Sequence, residues 1–166
     1  MSVAERFENL LAWQRMHELS VEVWRATEHG PVARDWKFRD QIRDAADSAE
    51  RNVAEGFGRY EPLVFAQFLD FSRASAEETK SLLKKGIEVG YLSSNDFERL
   101  DSLATRGLQA VAKFQRYLRS PQAKRNAARQ RYSRDDNAGA VRARTAYDSN
   151  GPNDSNDPND PNDPNE

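Results

Sequence analysis

The chain contains no cysteine, which excludes disulfides, thiolate metal sites and cysteine nucleophiles. Its two histidines, His17 and His29, are not preceded by glutamate at the third position, so the Glu-x-x-His pairs of a helix-bundle di-iron site are missing. The stretch His17-Glu18-Leu19-Ser20-Val21 also lacks the second histidine of a zinc-protease helix. Both histidines therefore read as surface or boundary residues. No uninterrupted apolar run approaches the roughly 20 residues a membrane span requires. The N-terminal stretch carries early charges and no apolar block, unlike a secretory signal. These absences predict a cytoplasmic chain with no membrane partner, no cofactor, no metal and no enzymatic activity.

The mean hydropathy of −0.92 is low for a folded chain, but the polarity is uneven. Well-spaced Leu, Val, Ile, Phe and Trp fill residues 1–119 and are almost absent from 120–166. The first part is long enough to bury a core, whereas the second lacks the apolar surface to offset its ordering entropy. Charge follows the same division. Residues 1–119 hold 18 Lys and Arg against 19 Asp and Glu, residues 120–134 hold five basic and no acidic residues, and residues 135–166 hold two Arg against eight acidic residues. The expected organisation is a domain over 1–120, a basic segment over 121–134, and a disordered acidic tail over 135–166 that ends in Asn-Asp-Pro repeats. A basic segment attracts polyanions; the plainer reading is a linker kept soluble by charge.

Within 1–119, apolar residues recur at steps of three and four, the period of a helix. The first helix spans Leu10 to Glu28, with Leu10, Trp13, Met16, Leu19, Val23 and Thr27 inward and Gly30-Pro31 ending it. The second spans Asp35 to Glu55, on Phe38, Ile42, Ala45, Ala49 and Val53, with Gly56 and Gly58 breaking it. The third spans Pro62 to Val89, opened by Pro62 at the first helical position and followed by Gly90 as cap. The fourth spans Ser94 to Leu118, with Ser93 and Asp96 arranged nearly as a capping box and Pro121 barring continuation. Short connections favour antiparallel neighbours, so the fold class is all-α: an antiparallel up-down-up-down four-helix bundle with a disordered C-terminal tail.

No catalytic constellation lies on these helices. Ser81-Leu82-Leu83-Lys84 fits Ser-x-x-Lys without its partner motifs, and reads as coincidence inside a helix. Gly56-Phe57-Gly58 lacks the Lys-Ser/Thr of a phosphate loop. Asp40, Asp44 and Asp47 line one side of the second helix with Arg39, Arg43 and Arg51 interleaved, a pattern of intrahelical ion pairs. One positive signal is left. Arg39 and Arg43 are one turn apart, as are Lys80 and Lys84, with Lys85 adjacent and with Arg51, Arg59 and Arg73 between them in sequence. On one chain these are scattered charges; repeated around the axis of a ring they attract a polyanion through counterion release.

The blocks Phe7-Glu8-Asn9-Leu10-Leu11-Ala12-Trp13-Gln14, Asp40-Gln41-Ile42-Arg43, Asn52-Val53-Ala54-Glu55-Gly56-Phe57-Gly58-Arg59, Phe65-Ala66-Gln67-Phe68-Leu69, Arg73-Ala74-Ser75-Ala76-Glu77-Glu78 and Gly90-Tyr91-Leu92-Ser93 occur in an order and spacing that resemble a bacterial four-helix-bundle family. It includes the 23S rRNA intervening-sequence proteins and the accessory variability determinant of diversity-generating retroelements. The resemblance covers about residues 7–119. It implies a homo-oligomer, specifically a homopentamer, with a basic central surface that binds RNA or DNA and in retroelement members partners a reverse transcriptase. It places Gln41, Asn52, Glu55, Gly56, Ser75 and Glu78 on structural motif positions: Asn52 and Glu55 capping or bridging at the second turn, Gly56 permitting that turn, Ser75 and Glu78 bonding between helices. Arg43 becomes the foremost anion-facing residue. The family often has a second basic residue after Arg43, where this chain has Asp44, and Ile-Pro near Ala49-Glu50.

Two functional readings stay open. In one, the bundle binds nucleic acid through Arg39, Arg43, Arg59, Arg73, Lys80 and Lys84, with Lys124, Arg125, Arg129 and Arg131 adding from the basic segment, and with affinity falling as salt rises. In the other, it is a protein-interaction scaffold with an exposed apolar patch and no nucleic-acid role.

Overall fold

Each of the four periodicities forms a helix. The computed structural model describes residues 6–59 and 61–128. A 3-10 turn at Phe7–Asn9 leads into α1 (Leu11–Ala26), and a second at Val32–Arg34 leads into α2 (Trp36–Gly58); α3 (Pro62–Glu88) and α4 (Ser94–Leu118) follow. Among the described residues there is no strand. Side-chain partners fix the directions. Ser20 meets Asp47 while Thr27 meets Arg43, and Ser72 meets Ala49 while Glu78 meets Gln41. As residue numbers rise along one helix they fall along its neighbour, so α1/α2 and α2/α3 are antiparallel. Lys80 with Thr105 and Gln115 with Ala66 show the same for α3/α4, and Glu22 with Arg99 and Glu18 with Arg106 for α1/α4. Each helix packs on two others, closing an up-down-up-down bundle.

The core is the set of inward positions. Met16, Leu19, Ile42, Leu69, Leu83 and Leu100 are fully buried, and Thr27, Ser72 and Thr79 are buried polar residues among them. Each of the three hydroxyls is satisfied by a backbone carbonyl: Thr27 by Val23, Ser72 by Ala49 and Thr79 by Ser75. That satisfaction is what permits them in the core.

The caps explain the helix ends. Asp35 accepts from the Phe38 backbone N–H at 3.0 Å, and Ser93 accepts from Asp96 N–H at 3.1 Å. Gly30 and Gly90 have positive φ, 78° and 76°, and take the turns after α1 and α3. Helix α1 ends at Ala26, before the Gly30-Pro31 signal, with Thr27 as its C-cap and the Thr27 hydroxyl bonded back to the carbonyls of Val23 and Trp24. The second boundary needs a correction. Neither Gly56 nor Gly58 breaks α2, which runs through both to Gly58, and Gly56 is helical and buried. Its lack of a side chain serves packing: a Cβ there would lie 2.8 Å from Phe68 Cβ and overlap the Phe65 ring. Residues 121–128 form a further helical stretch beginning at Pro121. Arg129, Arg131 and the 135–166 tail lie outside the described residues.

The Asp35 cap carries a pH dependence. The Phe38 N–H, then the Tyr91 hydroxyl at 2.8 Å, hold its carboxyl below the usual carboxylate range. A depressed folded pKa stabilises the fold above the unfolded value of about 3.9, and the gain is lost as pH falls through the folded value. Asp35→Ala is therefore expected to lower the melting temperature at pH 7, with the gap to the wild type closing as pH drops below about 4. Thermal melts of both proteins across pH 2.5–7 check this.

Candidate functional site

The predicted cations are distributed by the helices that carry them. On α2, Arg39 pairs with Asp40 at 2.9 Å and reaches the Ala33 carbonyl at 3.5 Å. Arg43 turns to α1: its Nε donates to Thr27 Oγ1 at 2.8 Å, its Nη2 to the Trp24 carbonyl at 3.3 Å, and its guanidinium lies 4.1 Å from the Trp24 ring centroid. Arg43 thus adds a charged donor to a terminal carbonyl of α1 that otherwise accepts only long bonds from the Thr27 N–H and hydroxyl. Arg59 pairs with Glu55 at 2.5 Å and lies over the Phe68 ring, and Arg73 is 3.8 Å from Asp70. Lys80 turns to α4, where it donates to Thr105 at 2.7 Å and pairs with Asp101 at 3.1 Å. Lys84 is exposed and has no ion pair among the described residues. Arg43 and Lys80 therefore sit on opposite flanks of the α2–α3 pair, and the six cations form no single patch on one chain. Lys124 and Arg125 lie in the helical stretch after Pro121, where Arg125 donates to Gln122 at 2.9 Å.

The other motif residues cluster where α2 meets α3. Ser48 and Ser75 share a hydrogen bond of 2.9 Å across the interface, and Asn52 donates to the Ser48 carbonyl at 2.7 Å. Gln41 reaches Glu78 at 3.5 Å. Asn52 and Glu55 do not bridge the two helices: the Asn52 bond lies within α2 and Glu55 pairs with Arg59 one turn on. The Ser48–Ser75 bond and Gly56 against Phe65 and Phe68 mark the close approach of α2 and α3.

The aspartates of α2 do not form an intrahelical ladder. Only Asp40 pairs within the helix, with Arg39. Asp47 crosses to α1 and accepts from Ser20 Oγ at 2.5 Å and Trp24 Nε1 at 3.0 Å. Among the described residues no group of His, Asp or Glu is arranged to hold a metal ion. His17 is half exposed, stacks on Trp13 and lies 3.1 Å from Glu50; His29 is exposed beside Glu28.

Sequence reasoning missed Trp24, the residue on which Arg43, Asp47 and α1 converge. Its signal was its phase: it falls one position beyond Val23, off the inward stripe, and an indole left outside a core is uncommon.

Over residues 8–113 the chain matches the model of the family of 23S rRNA-intervening sequence proteins. The chain belongs to this family. The match begins at the 3-10 turn before α1 and ends within α4, so it covers nearly all of the bundle. Gln41, Arg43, Asn52, Glu55, Gly56, Arg59, Arg73, Ser75 and Glu78 all fall inside it; Lys124 and Arg125 fall outside. No curated protein matches the chain. Among the described residues no helix is long and apolar enough to cross a membrane.

Proposed function

We propose that this member of the family is a homo-oligomeric bundle that binds nucleic acid without catalysing a reaction on it, a ring of five chains in which modest basic surfaces repeat around an axis. The observation that carries the reading is the set of cations on α2 and α3 that make no ion pair within 4 Å among the described residues: Lys37, Arg43, Arg51, Lys84 and Lys85. On one chain they are too dispersed for strong attraction. Repetition by symmetry multiplies them, and phosphate contacts gain by counterion release. Binding of this type follows the backbone and is largely independent of sequence. A reverse transcriptase is the protein partner that fits such an accessory. The basic segment after Pro121 adds Lys124 and Arg125 to the same attraction.

One observation favours the second reading, a protein-interaction scaffold. Leu63 and Phe71 on α3 are 46% and 57% exposed, with half-buried Phe68 between them. This apolar strip suits a protein surface, from another copy or another protein.

The deciding experiment is an anisotropy titration of RNA and DNA with the full-length chain and with a chain truncated after Ala128, alongside mass determination by light scattering. The proposal expects an oligomer whose affinity falls with salt, with a log–log slope of about −0.9 for each duplex phosphate contacted. An oligomer that binds neither nucleic acid at low salt overturns it and leaves the scaffold.

A further inference from the structure

Trp24 is held in a way that an unused surface indole does not need. Met16, Leu19, Val23 and Thr27 follow the helix period into the core, while 46% of the Trp24 surface stays in water. Its Nε1–H is committed to Asp47, which the Ser20 hydroxyl holds in turn, and the Arg43 guanidinium covers part of one ring face. The ring is therefore fixed before any ligand arrives. By contrast Trp36, 69% exposed, has no ring or hydrogen-bond partner among the described side chains.

Arg43 is fixed as well, with Nε and Nη2 spent on Thr27 and the Trp24 carbonyl. Its Nη1 has no acceptor among the described residues. Ser20, Val21, Trp24, Arg25, Glu28 and Arg43 together line a depression in the surface. Glu22 takes Arg25 and Arg99, and Asp47 takes Ser20 and Trp24. Glu28, exposed and 3.9 Å from His29, also lines the depression and makes no hydrogen bond or ion pair with Arg43. Of the two arginines lining the depression, Arg25 is paired with Glu22 and Arg43 has no carboxylate partner among the described residues, with a rigid aromatic surface beside it.

We infer that Trp24 and Arg43 form a nucleotide subsite for single-stranded nucleic acid, with the base against the indole and the adjoining phosphate at Arg43 Nη1. The inference rests on the nucleic-acid reading above and adds a strand preference to it. A flat π-surface beside a guanidinium is the pair of features that single strands use, because their bases are free to leave the stack and every base has a face to offer. A duplex keeps its bases paired and presents only phosphates here. A simple carboxylate or inorganic anion would engage Arg43 and leave the indole unused.

The test is an anisotropy titration at low salt with full-length chain, using a labelled oligothymidylate and a duplex of equal length. Trp24→Ala is expected to weaken single-strand binding about tenfold through loss of base–aromatic stacking, with duplex binding unchanged, and Trp24→Phe to restore most of the loss. Single-strand binding unaltered in Trp24→Ala overturns the subsite and leaves the broader nucleic-acid reading standing. An equal loss on duplex, or a changed chain mass in light scattering, overturns it in favour of a fold defect or a contact between copies. If the wild type binds neither probe, both readings fall. A second measurement is independent of whether Trp24→Ala folds. With Trp13 and Trp36 replaced by Phe, Trp24 is the sole tryptophan, and oligothymidylate should quench its emission. Rising anisotropy with unchanged emission overturns the subsite.

Discussion

Gly56→Ala is expected to lower the unfolding free energy by about 2 kcal/mol, the upper range of an overpacking penalty less the helix propensity gained. In a solvent-facing helix the same change stabilises. At Gly56 the new methyl would stand 2.8 Å from Phe68 Cβ and overlap the Phe65 ring. Phe68 Cβ is fixed by the α3 backbone and cannot rotate away. The Phe65 ring is hemmed in by Phe57 and Phe114, at centroid distances of 6.4 and 5.1 Å. Relief therefore requires α2 and α3 to separate, which would stretch the 2.7 Å bond from Ser72 to the Ala49 carbonyl and the Ser48–Ser75 pair. Gly58 supplies the control, since nothing lies within 4 Å of a Cβ built there. Gly58→Ala should be neutral or gain a few tenths of a kcal/mol, about what propensity provides near a helix end. Urea unfolding of the two variants separates packing from propensity; equal effects would defeat the account.

That glycine shows where the sequence was legible and where it was not. The period of three and four located all four helices, and Pro62, Ser93 and Gly90 marked ends that the structure keeps. These are local signals, written within a few residues of the feature they determine. Gly56 carries an ambiguous signal, because glycine ends helices and also lets helices approach. Only the position of Phe65 and Phe68 on the facing helix decides between the two. The small residues that let α2 and α3 share the most extensive contact of any pair, Ala45 and Ala49 on one and Ser72 and Ala76 on the other, are buried together. The cations were legible as residue types and not as a surface. Asp47 looked like one rung of an intrahelical ladder, yet it crosses to α1, because Ser20 and Trp24 stand opposite it and offer two donors. Arg43 likewise exchanges Asp40 and Asp47 for the Thr27 hydroxyl, a helix-terminal carbonyl and a ring. Tertiary partners outcompete i,i+4 pairs worth only a few tenths of a kcal/mol each.

Arg43→Ala is expected to cost about 2 kcal/mol of stability, from charge-assisted hydrogen bonds to Thr27 and to the Trp24 carbonyl together with the stacked ring. The loss falls on the end of α1. Thr27 Oγ1 would retain its bond to the Val23 carbonyl at 2.8 Å, while the Trp24 carbonyl would keep the longer contacts from the Thr27 hydroxyl at 3.2 Å and the Thr27 N–H at 3.3 Å. Arg43→Lys is the sharper variant. Lysine retains the charge but lacks the planar fork, so it cannot serve both acceptors while lying flat on the indole. A residue serving only as a phosphate contact would tolerate that change in both stability and binding. A residue that positions Trp24 and caps α1 would not: Arg43→Lys should lose about half the stability lost by the alanine variant, and should bind single strands more weakly than the wild type while its salt dependence is kept. Chemical denaturation and salt-dependent titration of the three proteins separate these roles. Full retention of stability and affinity by lysine would reduce Arg43 to a simple point charge. Loss of stability with affinity unchanged would confine it to holding α1 against α2.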